Sequence, residues 1–218
     1  MLRFAMTILL RADDWYSLVA SRRNFGALAN TDSLTRDGRM ALKSTIFKAE
    51  LQVSDLDRNH FATHALTIAR HPSETDQRMM VRLLAFALNA DERLEFGRGL
   101  SSEDEPDLVK RDLTGAIELW IEVGLPDERT VRKAAGRARE VKVYVYGGRS
   151  AALWWAQNEE ALLRSRNVSV IEIPDAVSDS LTSLAERNMR LDCTIQEGQL
   201  YFSGDGDTFH FEPRVLLR

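Results

Sequence analysis

The stretch that decides the fold of this chain is a predicted strand and the turn after it, Ile117-Glu118-Leu119-Trp120-Ile121-Glu122-Val123-Gly124. Strict period-2 alternation places Leu119, Ile121 and Val123 on one face of the strand. Glu118, Trp120 and Glu122 then share the other face. Burying a carboxylate beside an apolar sheet costs free energy unless a metal ion or a basic side chain compensates its charge. The sequence therefore predicts that the functional chemistry lies on this strand.

The segments on both sides of this strand predict an α/β fold with a mixed sheet. Two strands are predicted over 42–53 and 61–70, and the next helix begins at Pro72 with Ser73 as its N-cap. The remaining predicted elements are strands over 94–100 and 108–112, a helix over 127–139, a strand over 141–146, a helix capped by Ser150, a strand over 168–173 and a helix over 175–187. Strands and helices that alternate along the chain predict parallel neighbours in the sheet. Short strands over 190–195, 199–202 and 208–211 predict a C-terminal antiparallel hairpin or meander.

Composition limits the class of protein. The chain has 218 residues, of which 44% are hydrophobic and 28% charged, as in ordinary globular proteins. Cys193 is the single cysteine, so an internal disulfide is excluded and a buried apolar role is predicted for it. The chain has no run of roughly 20 apolar residues, which argues against a membrane partner. These features predict a reducing, cytoplasmic setting.

The net charge of -4 argues against a broad basic surface for nonspecific nucleic-acid binding. An enzyme that meets phosphates through a local Arg and Lys cluster and metal ions remains compatible with it.

Residues 1–39 differ from the rest, because all their basic residues are Arg and all their acidic residues are Asp. We predict that 1–39 is poorly ordered or reflects a misassigned start codon, and that 40–218 is the folded domain. The alternative is an amphipathic helix over 9–18 that docks on that domain.

Four acidic residues and one lysine are the candidate catalytic groups. Glu74 lies in the predicted first turn of the first long helix, and Asp107 lies upstream of the central strand. Glu118 and Glu122 are on that strand, and Lys133 is on the helix after it. A divalent cation takes several oxygen ligands, and a nearby lysine stabilises an attacking hydroxide or a phosphate. The pattern is therefore typical of a Mg²⁺ site.

Five short blocks of sequence carry a family resemblance. They are Ala69-Arg70-His71-Pro72-Ser73-Glu74-Thr75, Arg78-Met79-Met80, Ala90-Asp91-Glu92-Arg93-Leu94, Leu119-Trp120-Ile121-Glu122 and Gly124-Leu125-Pro126-Asp127-Glu128-Arg129. With these blocks in this order, the chain from Met40 to near its C-terminus resembles the YaeQ family of bacterial proteins. The resemblance implies a variant of the restriction-endonuclease-like PD-(D/E)XK nuclease fold, in which helices flank a mixed sheet.

The resemblance also implies roles for single residues. Glu74 matches the helix-borne acid of such nucleases, and Pro106-Asp107 matches the first half of the motif. Glu118 matches the acid of the second half, although the family pattern has Asp there. Trp120 stands where the motif has lysine, and Lys133 on the next helix is the candidate replacement.

Spacing limits which carboxylates can share an ion. The Cα atoms of Glu118 and Glu122 should lie about 13 Å apart on one strand. We therefore predict Glu74, Asp107 and Glu118 as the metal ligands, with Glu122 as a ligand in a second register or as the partner of an Arg. The candidate phosphate contacts are Arg70, His71 and Arg149.

Each candidate also has a purely structural interpretation. Glu74 is favourable near a helix N-terminus because of the helix dipole. Asp107 follows an acidic loop, Lys133 is at a position that suits a surface lysine, and Glu122 suits an ion pair with Arg129 or Arg132. Arg70 and His71 suit the turn before Pro72.

Two functions stay open on the sequence. The first is a divergent Mg²⁺-dependent phosphodiesterase that acts on DNA or RNA. The second is a nuclease fold without catalysis, with a regulatory or protein-binding role related to transcription. The substituted lysine position and the acidic net charge favour the second.

Overall fold

The computed structural model describes residues 44–97 and 105–218. The predictions for 1–39 lie outside this range, and so does the end of the strand predicted over 94–100. In chain order, the elements are β1 (Thr45–Asp55), β2 (His60–Arg70), α1 (Asp76–Leu88), β3 (Leu94–Phe96), β4 (Leu108–Arg111), β5 (Ile117–Val123), α2 (Glu128–Ala135), β6 (Ala138–Val145), α3 (Arg149–Leu162), β7 (Val168–Glu172), α4 (Asp175–Thr182), β8 (Asn188–Gln196), β9 (Gln199–Gly204), β10 (Asp207–Phe211) and β11 (Arg214–Leu217). Within the described ranges, no helix has the length and apolar character that crossing a membrane requires.

The strands of the described ranges form two mixed sheets. The first sheet has the spatial order β10-β9-β8-β1-β2, and the second has the order β11-β7-β6-β5-β4-β3. Strands β5, β6 and β7 run parallel, as the alternation of strands and helices predicts. The C-terminal strands pair antiparallel, as predicted, and β8 also extends the first sheet by pairing parallel with β1.

Two apolar cores hold these layers together. Helix α1 is buried at every position from Met79 to Ala87, because the first core combines it with side chains of both sheets. The second core covers the opposite face of the second sheet, where Trp120 of β5 packs with α2 and α3. Cys193 is fully buried in the first core, as predicted, and burial raises the pKa of its thiol to about 12.

Four helix boundaries differ from the sequence predictions. The N-cap of α3 is Gly148 and not Ser150. The N-cap of α1 is Thr75, whose hydroxyl accepts from the Arg78 amide, and not Ser73. Residues 71–74 form a turn closed by the Glu74 amide and the His71 carbonyl, so Glu74 precedes the helix. Helix α2 ends at Ala135 and α4 at Thr182, both earlier than predicted. Strand β11 is an element that the sequence patterns did not predict.

Candidate functional site

The first part of the site is an ion-pair network in which Arg78 joins two buried carboxylates. Glu74 is 6% exposed and Asp107 is 2% exposed. Arg78 Nη1 lies 2.9 Å from Glu74 Oε1, and Arg78 Nη2 lies 2.7 and 2.8 Å from the two Asp107 oxygens. Burial by itself would lower the pKa of Arg78, but Asp107 and Glu74 outweigh burial and raise it. Arg78 therefore stays charged between the two acids.

A second arginine completes this network one helical turn further along α1. Arg82 is fully buried, and its Nη1 lies 3.0 Å from both oxygens of Glu74. Its Nε lies 3.5 Å from Asp107 Oδ1, and its Nη2 donates to the Gly97 carbonyl. Arg78 and Arg82 are four residues apart on one face of α1, so both guanidinium groups reach the same acids.

Backbone pairing brings Glu122 to the same place. The Asp107 amide donates to the Ile121 carbonyl at 3.0 Å, and the Val123 amide donates to Asp107 Oδ2 at 2.8 Å. Gly97 permits this arrangement, because a Cβ there would collide with the Pro106 carbonyl oxygen. We call Glu74, Arg78, Arg82, Asp107 and Glu122 the acidic centre.

Glu122 is the uncharged member of the acidic centre at neutral pH. It is 5% exposed, and the indole N–H of Trp120 donates to its Oε1 at 2.6 Å. Burial first, and then the negative charge of Asp107, raise the pKa of Glu122 to about 8. The sequence alternative paired Glu122 with Arg129 or Arg132; in the structure, Arg132 pairs with Glu128 and Glu122 accepts from Trp120.

Glu118 lies away from the acidic centre, near the start of β5. The register between β4 and β5 shifts, with Lys110 opposite Leu119 but Arg111 opposite Ile117, so Glu118 is the extra residue of a β-bulge. The bulge ends the strict alternation that placed Glu118 with Trp120. Glu118 instead pairs with Arg93 at 2.9 Å, Lys110 at 3.7 Å and Arg139 at 3.8 Å. The structure thus brings Glu74, Asp107 and Glu122 together, but not Glu118.

The other predicted site residues occupy four different positions. Arg70 donates to Asp76 Oδ1 at 2.8 Å, and its guanidinium lies over the Phe47 ring. His71 Nδ1 lies 2.6 Å from the Ser73 hydroxyl in the exposed turn before α1. Lys133 is half-buried in the last turn of α2, and Arg149 is the first residue of α3.

Sequence reasoning missed the two arginines of the acidic centre. One signal for Arg82 was present, because it is the one charged residue in an otherwise apolar run from Met79 to Leu88. A charge within such a run is buried with a partner, since an isolated buried charge is too costly. The spacing of Glu74, Arg78 and Arg82 would then have indicated that partner.

The acidic centre does not fit a divalent cation. Each carboxylate oxygen of Glu74 and Asp107 already accepts from a guanidinium group, and Asp107 Oδ2 also accepts from a backbone amide. Mg²⁺ needs carboxylate oxygens that are free to coordinate it. Among residues 44–97 and 105–218, no group of three or more His, Cys, Asp or Glu has an arrangement that could hold a metal ion.

Known proteins similar to this chain share most of its length. The sequence model of the YaeQ protein family matches residues 40–213. The chain is 49% identical over 166 residues to the "Uncharacterized protein YaeQ" of Escherichia coli (strain K12), which covers 76% of this chain and 92% of that protein. The protein of the same description from Salmonella typhi is 50% identical over 164 residues, which covers 75% of this chain and 91% of that one.

Two crystal structures are similar to the described fold. The YaeQ protein from Xanthomonas axonopodis pv. citri has a TM-score of 0.77 and 51% identity, covering 80% of this chain and 98% of that chain. The YaeQ protein from Pseudomonas syringae also has a TM-score of 0.77, with 36% identity, covering 80% of this chain and 97% of that chain. Together with the two sequence relatives and the match over residues 40–213, these likenesses establish that the chain belongs to the YaeQ family.

Proposed function

We propose that this protein is a nuclease-fold module that binds a partner and does not cleave phosphodiester bonds. The second sheet with its flanking helices supports a PD-(D/E)XK-like ancestry, as does Pro106-Asp107, which directly precedes β4 beside Glu122. The proposed absence of catalysis rests on one observation. Arg78 and Arg82 donate to the carboxylate oxygens of Glu74 and Asp107 that a metal ion would need.

The chemistry of arginine makes it an effective barrier to metal binding at these carboxylates. A guanidinium stays protonated at any physiological pH, so it does not leave the carboxylates by losing its proton. Its fork of N–H groups matches a carboxylate with two hydrogen bonds, as Arg78 does with Asp107. A metal ion would have to displace two such cations from buried acids. The centre is therefore a stabilising ion-pair network rather than a cation site.

The lysine of the nuclease motif is also missing, whichever of the two glutamates of β5 is aligned with the acid of the motif. If Glu118 begins the second half of the motif, Trp120 takes the lysine position; if Glu122 begins it, Gly124 does. Glycine has no side chain to orient a water molecule or stabilise a phosphate. Both alignments of the motif therefore support a binding role over a catalytic one.

One observation favours the alternative, a metal-dependent nuclease. Three acids from separate segments, Glu74, Asp107 and Glu122, gather at one place in the fold. The Arg78 side chain is 13% exposed, so it is the arginine that a metal ion arriving with substrate would have to displace. The two proposals differ in what they predict for metal binding.

Calorimetric titration of Mg²⁺ and Mn²⁺ tests this difference. We expect wild-type protein to show no saturable binding up to millimolar metal. Replacing Arg78 with alanine removes the guanidinium that donates to both Asp107 oxygens, while Arg82 still pairs with Glu74. We therefore expect R78A to gain saturable binding in roughly the millimolar range. R132A, which removes an exposed arginine of α2, is the matched control and should gain none.

A different result of the same titration would contradict the binding-only proposal. Saturable metal binding by wild-type protein that is lost in D107N, with Mg²⁺-dependent cleavage of DNA or RNA, would establish the nuclease and end the binding-only proposal. A binding role predicts instead that association with a protein or nucleic-acid partner is unchanged by EDTA. Circular dichroism of each variant shows whether it has folded.

A further inference from the structure

A polar cavity of about 430 Å³ lies beside the C-terminal end of α1, away from the acidic centre. It is bounded by the turn after β1, the segment after α1, and parts of β4, β5 and β6. Its volume is within the usual range for small-molecule sites, roughly 300–1,000 Å³. We call it the basic cavity, because its basic lining residues are Arg58, Arg93, Lys110, Arg139 and Lys142.

The charge of the lining favours an anion. The five basic residues face three acidic ones in the lining, Asp91, Glu118 and Glu140. Arg58 and Arg139 also pair with Asp55 and Asp112, which are not part of the lining. The side chains of Lys110 and Lys142 are 24% and 27% exposed, and their amino groups lie 3.2 Å from Asp91 Oδ2 and 3.3 Å from Glu140 Oε1. Cations held at the wall of a concave site concentrate a positive field there.

The bulge in β5 places a carboxylate at the focus of these cations. Three of them, Arg93, Lys110 and Arg139, lie within 3.8 Å of the two Glu118 oxygens. Bulges re-aim a side chain and are over-represented beside active sites. Glu118 therefore acts as an internal anion around which an anion-binding arrangement is already assembled. A phosphoryl group carries more charge and more acceptor oxygens than this one carboxylate.

Buried neighbours hold Lys142 in position. Its Nζ lies 2.9 Å from Asn89 Oδ1, and Asn89 Nδ2 donates to the Tyr144 hydroxyl at 2.7 Å. Asn89 is 5% exposed and Tyr144 is 3% exposed, so both are fixed by the core. A cation that is already oriented loses less conformational entropy when it binds a ligand.

We propose that the basic cavity binds the phosphoryl group of a small phosphorylated molecule. The proposal is independent of the role of the acidic centre, because the two sites share no residue. Inorganic phosphate and a mononucleotide both present this chemistry. The test therefore uses sodium phosphate and AMP as separate probes, in titration calorimetry of the full chain at an ionic strength matched with NaCl.

We expect saturable binding of at least one probe to wild-type protein, and opposite effects from two substitutions. K110Q removes a cation and should weaken binding by about fivefold or more, since one unit charge at contact distance contributes about 1 kcal/mol in water. E118Q removes the competing carboxylate and should strengthen binding by a similar factor. The control substitutions K48Q and E50Q make the same two charge changes at exposed positions of β1. Each should alter affinity by less than about twofold.

The comparison of probes and variants decides the proposal. Equal affinity for phosphate and AMP identifies the phosphoryl group as the whole ligand, and tighter binding of AMP identifies a nucleotide. If neither probe binds wild-type protein saturably, the proposal is overturned. It is also overturned if K48Q and E50Q change affinity as much as K110Q and E118Q, because the effect would then reflect net charge alone.

Discussion

Replacing Arg82 with methionine is expected to lower the free energy of unfolding by about 3–5 kcal/mol. Arg82 is fully buried and supplies hydrogen bonds to both oxygens of Glu74. Methionine fills much of the same volume but leaves Glu74 and Asp107 with only Arg78 to balance two buried negative charges. An uncompensated charge in the core costs far more than the loss of a surface ion pair. Urea denaturation followed by circular dichroism measures the change.

Two further variants show whether charge is the cause. The double variant E74Q/R82M removes the carboxylate together with its arginine, and it should recover part of the stability lost in R82M. R132M removes an arginine whose side chain is 69% exposed and pairs with Glu128 on the helix surface, so it should cost less than about 1 kcal/mol. If R82M were no less stable than R132M, the buried network would have no stabilising role.

Replacing Glu122 with glutamine is expected to stabilise the protein at alkaline pH, by about 2–4 kcal/mol at pH 9 relative to wild type. Burial, and then the charge of Asp107, raise the pKa of Glu122 from its ordinary value of 4.5 to about 8. Between these values the folded protein keeps a proton that the unfolded chain has lost. Wild-type stability from this group is therefore complete below about pH 4.5 and declines as the pH rises to about 8. Glutamine resembles the protonated acid and can still accept from the Trp120 indole.

The measurement is the free energy of unfolding of both proteins at several pH values from 5 to 9. The difference between E122Q and wild type should be small at pH 5 and should grow until about pH 8. E50Q, which changes an exposed glutamate on β1, controls for the loss of one surface charge and should show no such trend. A constant difference across the range would mean that Glu122 ionises normally in the folded protein.

The elements with clear periodicity could be predicted from the sequence. Strand β5 has the bounds that its alternation predicts, and the parallel order of β5, β6 and β7 follows from the helices between them. These features depend on residues close together in the chain. The start of α1 was less accurate, because Ser73 and Thr75 are both good N-caps and only the turn closed by His71 and Glu74 favours Thr75.

The composition of the candidate site was predicted less completely than its location. Glu74, Asp107 and Glu122 were identified by residue type and do lie together, but Glu118 was grouped with them through an alternation that the bulge interrupts. A bulge is a mismatch between two strands, so one strand's sequence does not reveal it. The roles of Arg70, His71, Lys133 and Arg149 stay predictions.

By itself, the sequence determined the α/β class, the family, the central strand and the expectation of a buried carboxylate on that strand, because local periodicity and residue type carry that information. Only the tertiary structure decided what compensates those charges. Asp107 meets an arginine 29 positions earlier in the chain, and Glu118 meets Arg93, Lys110 and Arg139 from three other segments. Electrostatic free energy depends on distances in space, so the side chains that balance these charges include residues that are remote in sequence. The arrangement in space therefore places Glu122 in the acidic centre, where arginines pair with the acids, and Glu118 of the same strand in the basic cavity.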